Sequence, residues 1–162
     1  MLIIVTGVSG TGKTTIGSGL ASAFDLPFFD ADNFHPKENI DKMSQGFPLN
    51  DEDRIPWLQA LAGVLLTQEK TGGAVLACSA LKETYREMLQ VREDVRWIHL
   101  KGDRELIWRR MLARKNHYMK ASMLDSQFAT WEEPAYGLKL NISHTPEEML
   151  TTALKYLGVP TK

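Results

Sequence analysis

The sequence predicts an α/β fold in which a largely parallel sheet is covered by helices on both faces, a three-layer arrangement. Three observations carry that expectation. Apolar, β-branched runs alternate with segments of helical periodicity along the 162 residues, and such alternation builds parallel sheets through crossover helices. The first run, Leu2-Ile3-Ile4-Val5-Thr6, is apolar and β-branched, as a strand buried on both faces requires. A glycine-rich segment, Gly7-Val8-Ser9-Gly10-Thr11-Gly12-Lys13-Thr14, joins the first run to the first helical segment and satisfies G-x-x-x-x-G-K-[ST] at every fixed position.

The elements follow in order. Leu2-Ile3-Ile4-Val5-Thr6 reads as a buried strand, and residues 14–24 place Ile16, Leu20 and Ala23 at helical spacing. Pro27-Phe28-Phe29-Asp30 is a second short strand ending in an acid, and residues 36–44 form a short helix stopped by Gly46 and Pro48. Over 53–70, Ile55, Leu58, Leu61, Ala62 and Leu65 share one apolar face, with Pro56 expected in the first turn, where its missing N–H is harmless. Ala74-Val75-Leu76-Ala77-Cys78 is the third strand and 95–100 the fourth. Asp103 is expected to cap a helix that pairs Ile107 with Met111 and Trp108 with Leu112. Residues 138–142 make a fifth strand. Thr145-Pro146-Glu147-Glu148 is a capping box with proline at the first helical position. The last helix presents Leu150, Ala153, Leu154 and Leu157 and stops at Gly158.

Composition excludes several classes of function. Hydrophobic residues are 43% and charged residues 24%, ordinary for a globular chain, and this length folds without disulfide or metal staples. A net charge of −1 leaves no footprint for nucleic acid or an anionic membrane. The single cysteine excludes an intrachain disulfide and a Cys-rich zinc site, and it fits a reducing compartment. At the end of its strand, Cys78 reads as a small buried apolar residue. The four tryptophans read as core or interface anchors. No apolar stretch spans a bilayer, and the first residues lack a signal peptide's basic start and apolar core. A cytoplasmic, single-domain protein without nucleic-acid or membrane partners is expected.

The glycine-rich loop is the strongest chemical signal. Its glycines let the backbone curl until successive N–H groups face one anion, and the helix that follows adds its positive dipole end. Lys13 supplies a point charge for the outer phosphates, and the Thr14 hydroxyl is a candidate Mg²⁺ ligand. The expected nucleotide-binding set is Gly7, Val8, Ser9, Gly10, Thr11, Gly12, Lys13, Thr14 and Thr15, joined by Arg110. Such a loop serves switches, motors and small-molecule kinases alike. The short chain, with no Asp-x-x-Gly or [Asn/Thr]-Lys-x-Asp segment, points to a kinase.

Charge is segregated. Residues 25–54 carry eight acids and three bases, whereas 101–120 carry seven bases and two acids. Asp30-Ala31-Asp32 follows the second strand, so it opens at the carboxyl edge of the sheet, where ligands of such folds bind. Asp32 is the candidate to orient an acceptor hydroxyl and take its proton. Asp30 suits a water-mediated Mg²⁺ contact. His35 is a candidate hydrogen-bond partner of the acceptor, although a packing histidine would give the same pattern. The basic stretch holds Arg109, Arg110, Arg114 and Lys115, and arginine on a closing arm suits phosphoryl transfer. After the third strand, Lys82 and Arg86 are candidates to hold an anionic group of the acceptor.

Taken together, these residues resemble those of bacterial gluconokinases, small P-loop kinases that phosphorylate D-gluconate at O6 with ATP. The resemblance runs from about residue 3 to 134. It is carried by the phosphate loop, by Phe29-Asp30-Ala31-Asp32-Asn33-Phe34-His35-Pro36, and by Asn50-Asp51-Glu52-Asp53-Arg54 with Pro56-Trp57-Leu58. Further carriers are Cys78-Ser79-Ala80-Leu81-Lys82, Tyr85-Arg86, Ala113-Arg114-Lys115-Asn116-His117-Tyr118, Gln127-Phe128 and Glu133-Pro134. It implies a nucleoside-monophosphate-kinase-like P-loop NTPase fold with a five-stranded parallel sheet, and a mobile helical lid at about 114–131 carrying Arg114. It also implies ATP, Mg²⁺ and often a homodimer. Asp32 would activate the acceptor hydroxyl, and Arg54, Lys82 and Arg86 become gluconate contacts. The family pattern has glycine where Ala31 and Asn116 stand. Between Pro134 and Leu138 the chain is shorter than that pattern, a change the resemblance places on the nucleotide-base side. Two alternatives remain at this level: a kinase for another small hydroxy acid or polyol, such as shikimate or an idonate-like acid, and a nucleotide-binding module without an acceptor.

Overall fold

β1 (Leu2–Thr6) is buried at every residue and lies at the centre of a five-stranded sheet. Its neighbours are β3 (Ala74–Ala77) and β4 (Arg96–Lys101); β2 (Phe28–Asp30) and β5 (Leu138–Asn141) are the edges, giving the order β2-β3-β1-β4-β5. Every pairing is parallel, with Ile3 opposite Val75 and Ile4 opposite Trp97. The structure, a computed structural model, describes residues 1–113 and 121–159. Arg114 and the rest of 114–120 lie outside the described residues.

Parallel strands need crossovers, and helices supply them. They are α1 (Lys13–Phe24), α2 (Lys37–Ser44), α3 (Asp51–Glu69), α4 (Glu83–Leu89), α5 (Arg104–Leu112), α6 (Ala121–Thr130) and α7 (Pro146–Tyr156). α1 packs against α7, and α3 packs against α4. Ile3, Ile4, Ile16, Leu20, Leu58, Leu61, Leu65, Leu76, Ile98 and Leu100 are fully buried between sheet and helices. Because all strands run one way, the loops after β1, β2 and β3 meet at one edge.

Several local expectations need correction. α3 begins two residues before the position its apolar periodicity suggests, because Asn50 caps it. The Asn50 side chain accepts from the Asp53 N–H at 2.8 Å, and Asp53 Oδ2 accepts from the Asn50 N–H at 2.9 Å. Pro56 therefore sits in the second turn, on an exposed surface. There the Glu52 carbonyl, which would otherwise accept from residue 56, can turn to water. Trp57, rather than Ile55, completes the buried face; Ile55 is 43% exposed. Asp103 stands at the start of α5 without a side-chain capping bond, and Leu112 is 65% exposed. In α7, Met149 and Ala153 are buried, while Leu150 and Leu154 only pack against the core margin. The segment shortened before Leu138 carries Tyr136. Tyr136 packs edge-on against Trp97 and His99, at the end of the sheet where β5 begins.

Asn50→Ala removes half of the capping box, and chemical denaturation should show a loss of about 1 kcal/mol.

Candidate active site

The chain leaves β1 through a passage only glycine can take. Gly7 has φ +146°, and a Cβ there would lie 2.7 Å from Thr11 Oγ1 and 2.8 Å from the Leu100 carbonyl oxygen. Beyond it, the loop's carbonyls are tied inward. Thr11 Oγ1 donates to Val8 O at 2.8 Å, and Lys13 Nζ donates to Gly7 O and Val8 O at 2.9 and 3.1 Å. With the Gly7 and Val8 carbonyls occupied, the loop leads directly into the start of α1, and loop N–H groups at a helix start are the arrangement that binds phosphate. Burial pushes the Lys13 pKa down, while Asp32, Cys78 and Asp30 pull it up. Cys78 itself is buried, and its thiol is pushed up to about 12, first by burial, so it stays protonated and unreactive.

Asp30 closes the loop's open side. Its Oδ2 accepts from Thr14 Oγ1 at 3.4 Å and its Oδ1 from the Asp32 N–H at 3.0 Å. The Thr14 hydroxyl and Asp30 carboxylate are thus adjacent hard oxygen donors of the kind Mg²⁺ takes beside substrate phosphates. Lys13, Thr14, Asp30 and Asp32 line one hollow over the loop.

Two larger spaces flank that hollow. One, of about 420 Å³, lies between Gly10-Thr11-Gly12, Thr15, Arg110 and Ser143-His144-Thr145. Arg110 is held there by its Nη2 donating to Ile142 O at 2.7 Å. The other is a cleft of about 400 Å³ whose lining includes Lys13, Asp32, His35, Arg54, Trp57, Ser79 and Gln127. His35 stacks on Trp57 with ring centres 4.2 Å apart, and Trp57 Nε1 donates to Ala31 O at 2.7 Å. Trp57 is thus a core anchor, as expected, and also a wall of the cleft. Arg54 is fixed by Nη1 donating to the Tyr85 hydroxyl at 2.8 Å, and that hydroxyl donates to Asp51.

Of the residues expected in the site, the phosphate loop, Asp30, Asp32, His35, Arg54 and Arg110 come together around these spaces. Lys82 and Arg86 do not line the cleft. Lys82 is paired with Asp51 at 3.0 Å on the surface. Arg86 is 1% exposed, and its guanidinium is filled by protein. Nε donates to Glu83, Nη1 to Ala80 O at 2.8 Å and Nη2 to Glu132 O at 2.8 Å. It holds the turn at Ala80, a non-glycine residue at φ +41°, in a conformation that costs energy unless its surroundings enforce it. Gln127 escaped the residue-level reading. From α6, its Oε1 accepts from the Ser9 N–H at 2.8 Å and its Nε2 donates to Ser9 Oγ at 3.1 Å. The only sequence signal for it was its place in the family-like Gln127-Phe128 pair.

A phosphate-binding loop at the head of a parallel sheet, flanked by two small-molecule-sized spaces, defines the class of small P-loop kinases. A family model described as shikimate kinase matches residues 9–144. The chain is 44% identical to a probable gluconokinase of Xenopus tropicalis, over 83% of this chain and 80% of that one. It is 43% identical to the thermoresistant gluconokinase of Escherichia coli K12, over 82% and 77%. A solved gluconokinase from Sinorhizobium meliloti 1021 superposes with a TM-score of 0.88 at 36% identity, covering 96% of this chain and 90% of that one. The chain belongs to the gluconokinase family, and its substrates are accordingly ATP and a small molecule. Among the described residues, no helix is long and apolar enough to cross a membrane.

Two expectations follow. Arg86→Met strands the buried Ala80 carbonyl and breaks the bonds to Glu132 O and Glu83, and should lower the unfolding free energy by about 3 kcal/mol in urea titrations. His35 and His99 are both held down to about 4, first by burial, then by Arg54 and Arg86 respectively. An unfolded histidine titrates near 6.5, so between these values the unfolded chain binds more protons. Stability should be full above pH 6.5 and fall toward pH 4, and denaturation of His99→Asn across that range should show a shallower fall.

Proposed function

We propose that the chain transfers the γ-phosphoryl group of ATP to the O6 hydroxyl of D-gluconate. The observation that carries this reading is that Asp32, Arg54 and Lys13 line one cleft at the phosphate loop. A proton acceptor, a partner for a carboxylate and the phosphate-binding lysine therefore face one small molecule, and the relatives are gluconokinases. The outer phosphates of ATP would rest on the loop's N–H groups and Lys13, with the nucleoside in the space beside Thr15 and Arg110. Thr14 and Asp30 would hold Mg²⁺, which supplies charge neutralisation of the phosphates.

Arg54 takes the gluconate carboxylate, and His35 and Trp57 wall the sugar chain. Asp32 orients the O6 hydroxyl and accepts its proton as the O6–P bond forms and the bond from the γ-phosphorus to the β–γ bridging oxygen breaks, releasing ADP. On this reading 1–162 is one kinase domain with 114–131 as its lid, and Arg114 on that lid would stabilise charge on the transferring group.

D-gluconate should stimulate ADP release from Mg·ATP with 6-phosphogluconate as the product. Asp32→Ala should lower kcat by about 100-fold or more while ATP binding persists. Equal stimulation by shikimate or other hydroxy acids, or full turnover by Asp32→Ala, would overturn the acceptor or the role.

A further inference from the structure

Asn39, on α2, is a polar side chain only 4% exposed, and such a group must have its hydrogen bonds satisfied. Its Nδ2 donates to the Asp53 carbonyl oxygen at 2.8 Å. A carbonyl oxygen only accepts, so this contact fixes which end of the amide is nitrogen. The same nitrogen lies 3.3 Å from His35 Nδ1. An amide nitrogen only donates, so in this hydrogen bond the ring atom accepts. A neutral imidazole carries one ring proton, and that proton then resides on Nε2. The ring is uncharged near neutral pH, because burial and the Arg54 guanidinium hold its pKa down to about 4. Nδ1 faces α2, the ring is stacked on Trp57, and His35 forms part of the cleft wall. Among the described residues, Nε2 has no hydrogen-bond partner.

We propose that Asn39 is a positioning residue that locks His35 in its Nε2–H tautomer, so that the cleft presents a fixed donor to one hydroxyl of the acceptor. The inference rests on the acceptor reading of the cleft given above. Its chemical content is selectivity. A donor takes the lone pair of a hydroxyl and leaves that hydroxyl's own proton free to bond elsewhere. An acceptor molecule bearing only hydrogen at that carbon leaves Nε2–H unpaired in a desolvated site, a contrast that discriminates far better than apolar fit. The lock also ties selectivity to α3, since the Asp53 carbonyl that orients Asn39 belongs to the first turn of the helix carrying Arg54.

The test joins nitrogen-15 NMR of the histidine rings with steady-state kinetics on the full chain. Unmodified His35 is expected as Nε2–H, and Asn39→Asp, whose carboxylate accepts from Nδ1–H, should move the proton to Nδ1 or charge the ring. The KM for gluconate should then rise about 10-fold, with kcat and the KM for ATP changing less than about 2-fold. A carboxylate against the Asp53 carbonyl also destabilises the fold, so a second pair of variants leaves Asn39 in place. His35→Phe keeps the stack and loses the donor, and His35→Gln restores an N–H near the Nε2 position. The first should raise the gluconate KM about 10-fold and the second recover most of that loss. A wild-type ring protonated on Nδ1, or His35→Phe with an unchanged gluconate KM, overturns the proposal. Absence of gluconate turnover by the unmodified chain fails the acceptor reading instead. The tautomer spectrum needs no substrate and still decides the Asn39–His35 arrangement.

Discussion

The working edge of the molecule depends on how the chain turns out of β1. Gly7 passes so close to the Leu100 backbone that a side chain has no room, and Leu100 is itself fixed in β4, the strand paired with β1. Sheet registry thus sets the position of the first loop residue. From there the geometry propagates through carbonyls. Val8 O is occupied by both Thr11 and Lys13, and Gly7 O by Lys13, so these two carbonyls are satisfied within the loop. Lys13, drawn onto those carbonyls, is half-buried, and desolvation works against its charge. That arrangement is tolerable because Asp30 and Asp32 arrive from β2, two strands away, at the same edge.

A second constraint organises the acceptor side. The turn after β3 is strained at Ala80, and Arg86 enforces it from beneath. The same guanidinium reaches Glu132 O, while the Glu132 N–H donates to Leu81 O at 2.7 Å and Glu132 Oε1 accepts from the Glu83 N–H at 2.8 Å. The segment leaving α6 is thereby fastened to the loop that lines the cleft, and Gln127 of α6 is fastened to Ser9 of the phosphate loop. Acceptor loop, phosphate loop and α6 are thus linked through polar groups anchored on the buried Arg86 guanidinium. The charge on Arg86 serves this frame rather than a ligand.

What the sequence revealed follows from what is local. The five strands were legible to within a residue or two: β1 and β3 because burial on both faces leaves a continuous apolar run, and the others from short apolar stretches bounded by polar residues. The phosphate loop was legible because its chemistry needs fixed types at fixed spacing, and the α7 start because Thr145 and Glu148 bond each other. The start of α3 was missed because Asn50 lies outside the apolar periodicity that located the helix. Arg86 and Lys82 were read as ligand cations because a sequence shows charge but not partners. Lys82 pairs with Asp51, 31 residues away, and Arg86 is enclosed by Glu83 and Ala80 nearby together with the Glu132 carbonyl 46 residues on. Gln127 was underrated for the same reason, its partner Ser9 being 118 residues distant.

Those pairings also bear on which acceptor the cleft suits. Of the cations expected around it, Lys82 is neutralised by Asp51, and Arg86 is enclosed by protein. Arg54 alone of these three lines the cleft. Among the described residues only its Nη1 has a hydrogen-bond partner, the Tyr85 hydroxyl. Nε and Nη2 are left as two donors on one edge of a planar fork, the shape that meets a carboxylate in bidentate fashion. Asp51 reinforces this through Tyr85. By accepting from the phenol, it turns the oxygen lone pairs toward Arg54 and holds the guanidinium in place. A neutral His35 adds a donor without adding charge. Away from Lys13 and Asp32 at the phosphate loop, the cleft lining therefore combines one oriented cation, Arg54, with polar and aromatic surface at His35, Trp57 and Ser79, which matches a single carboxylate followed by hydroxyls.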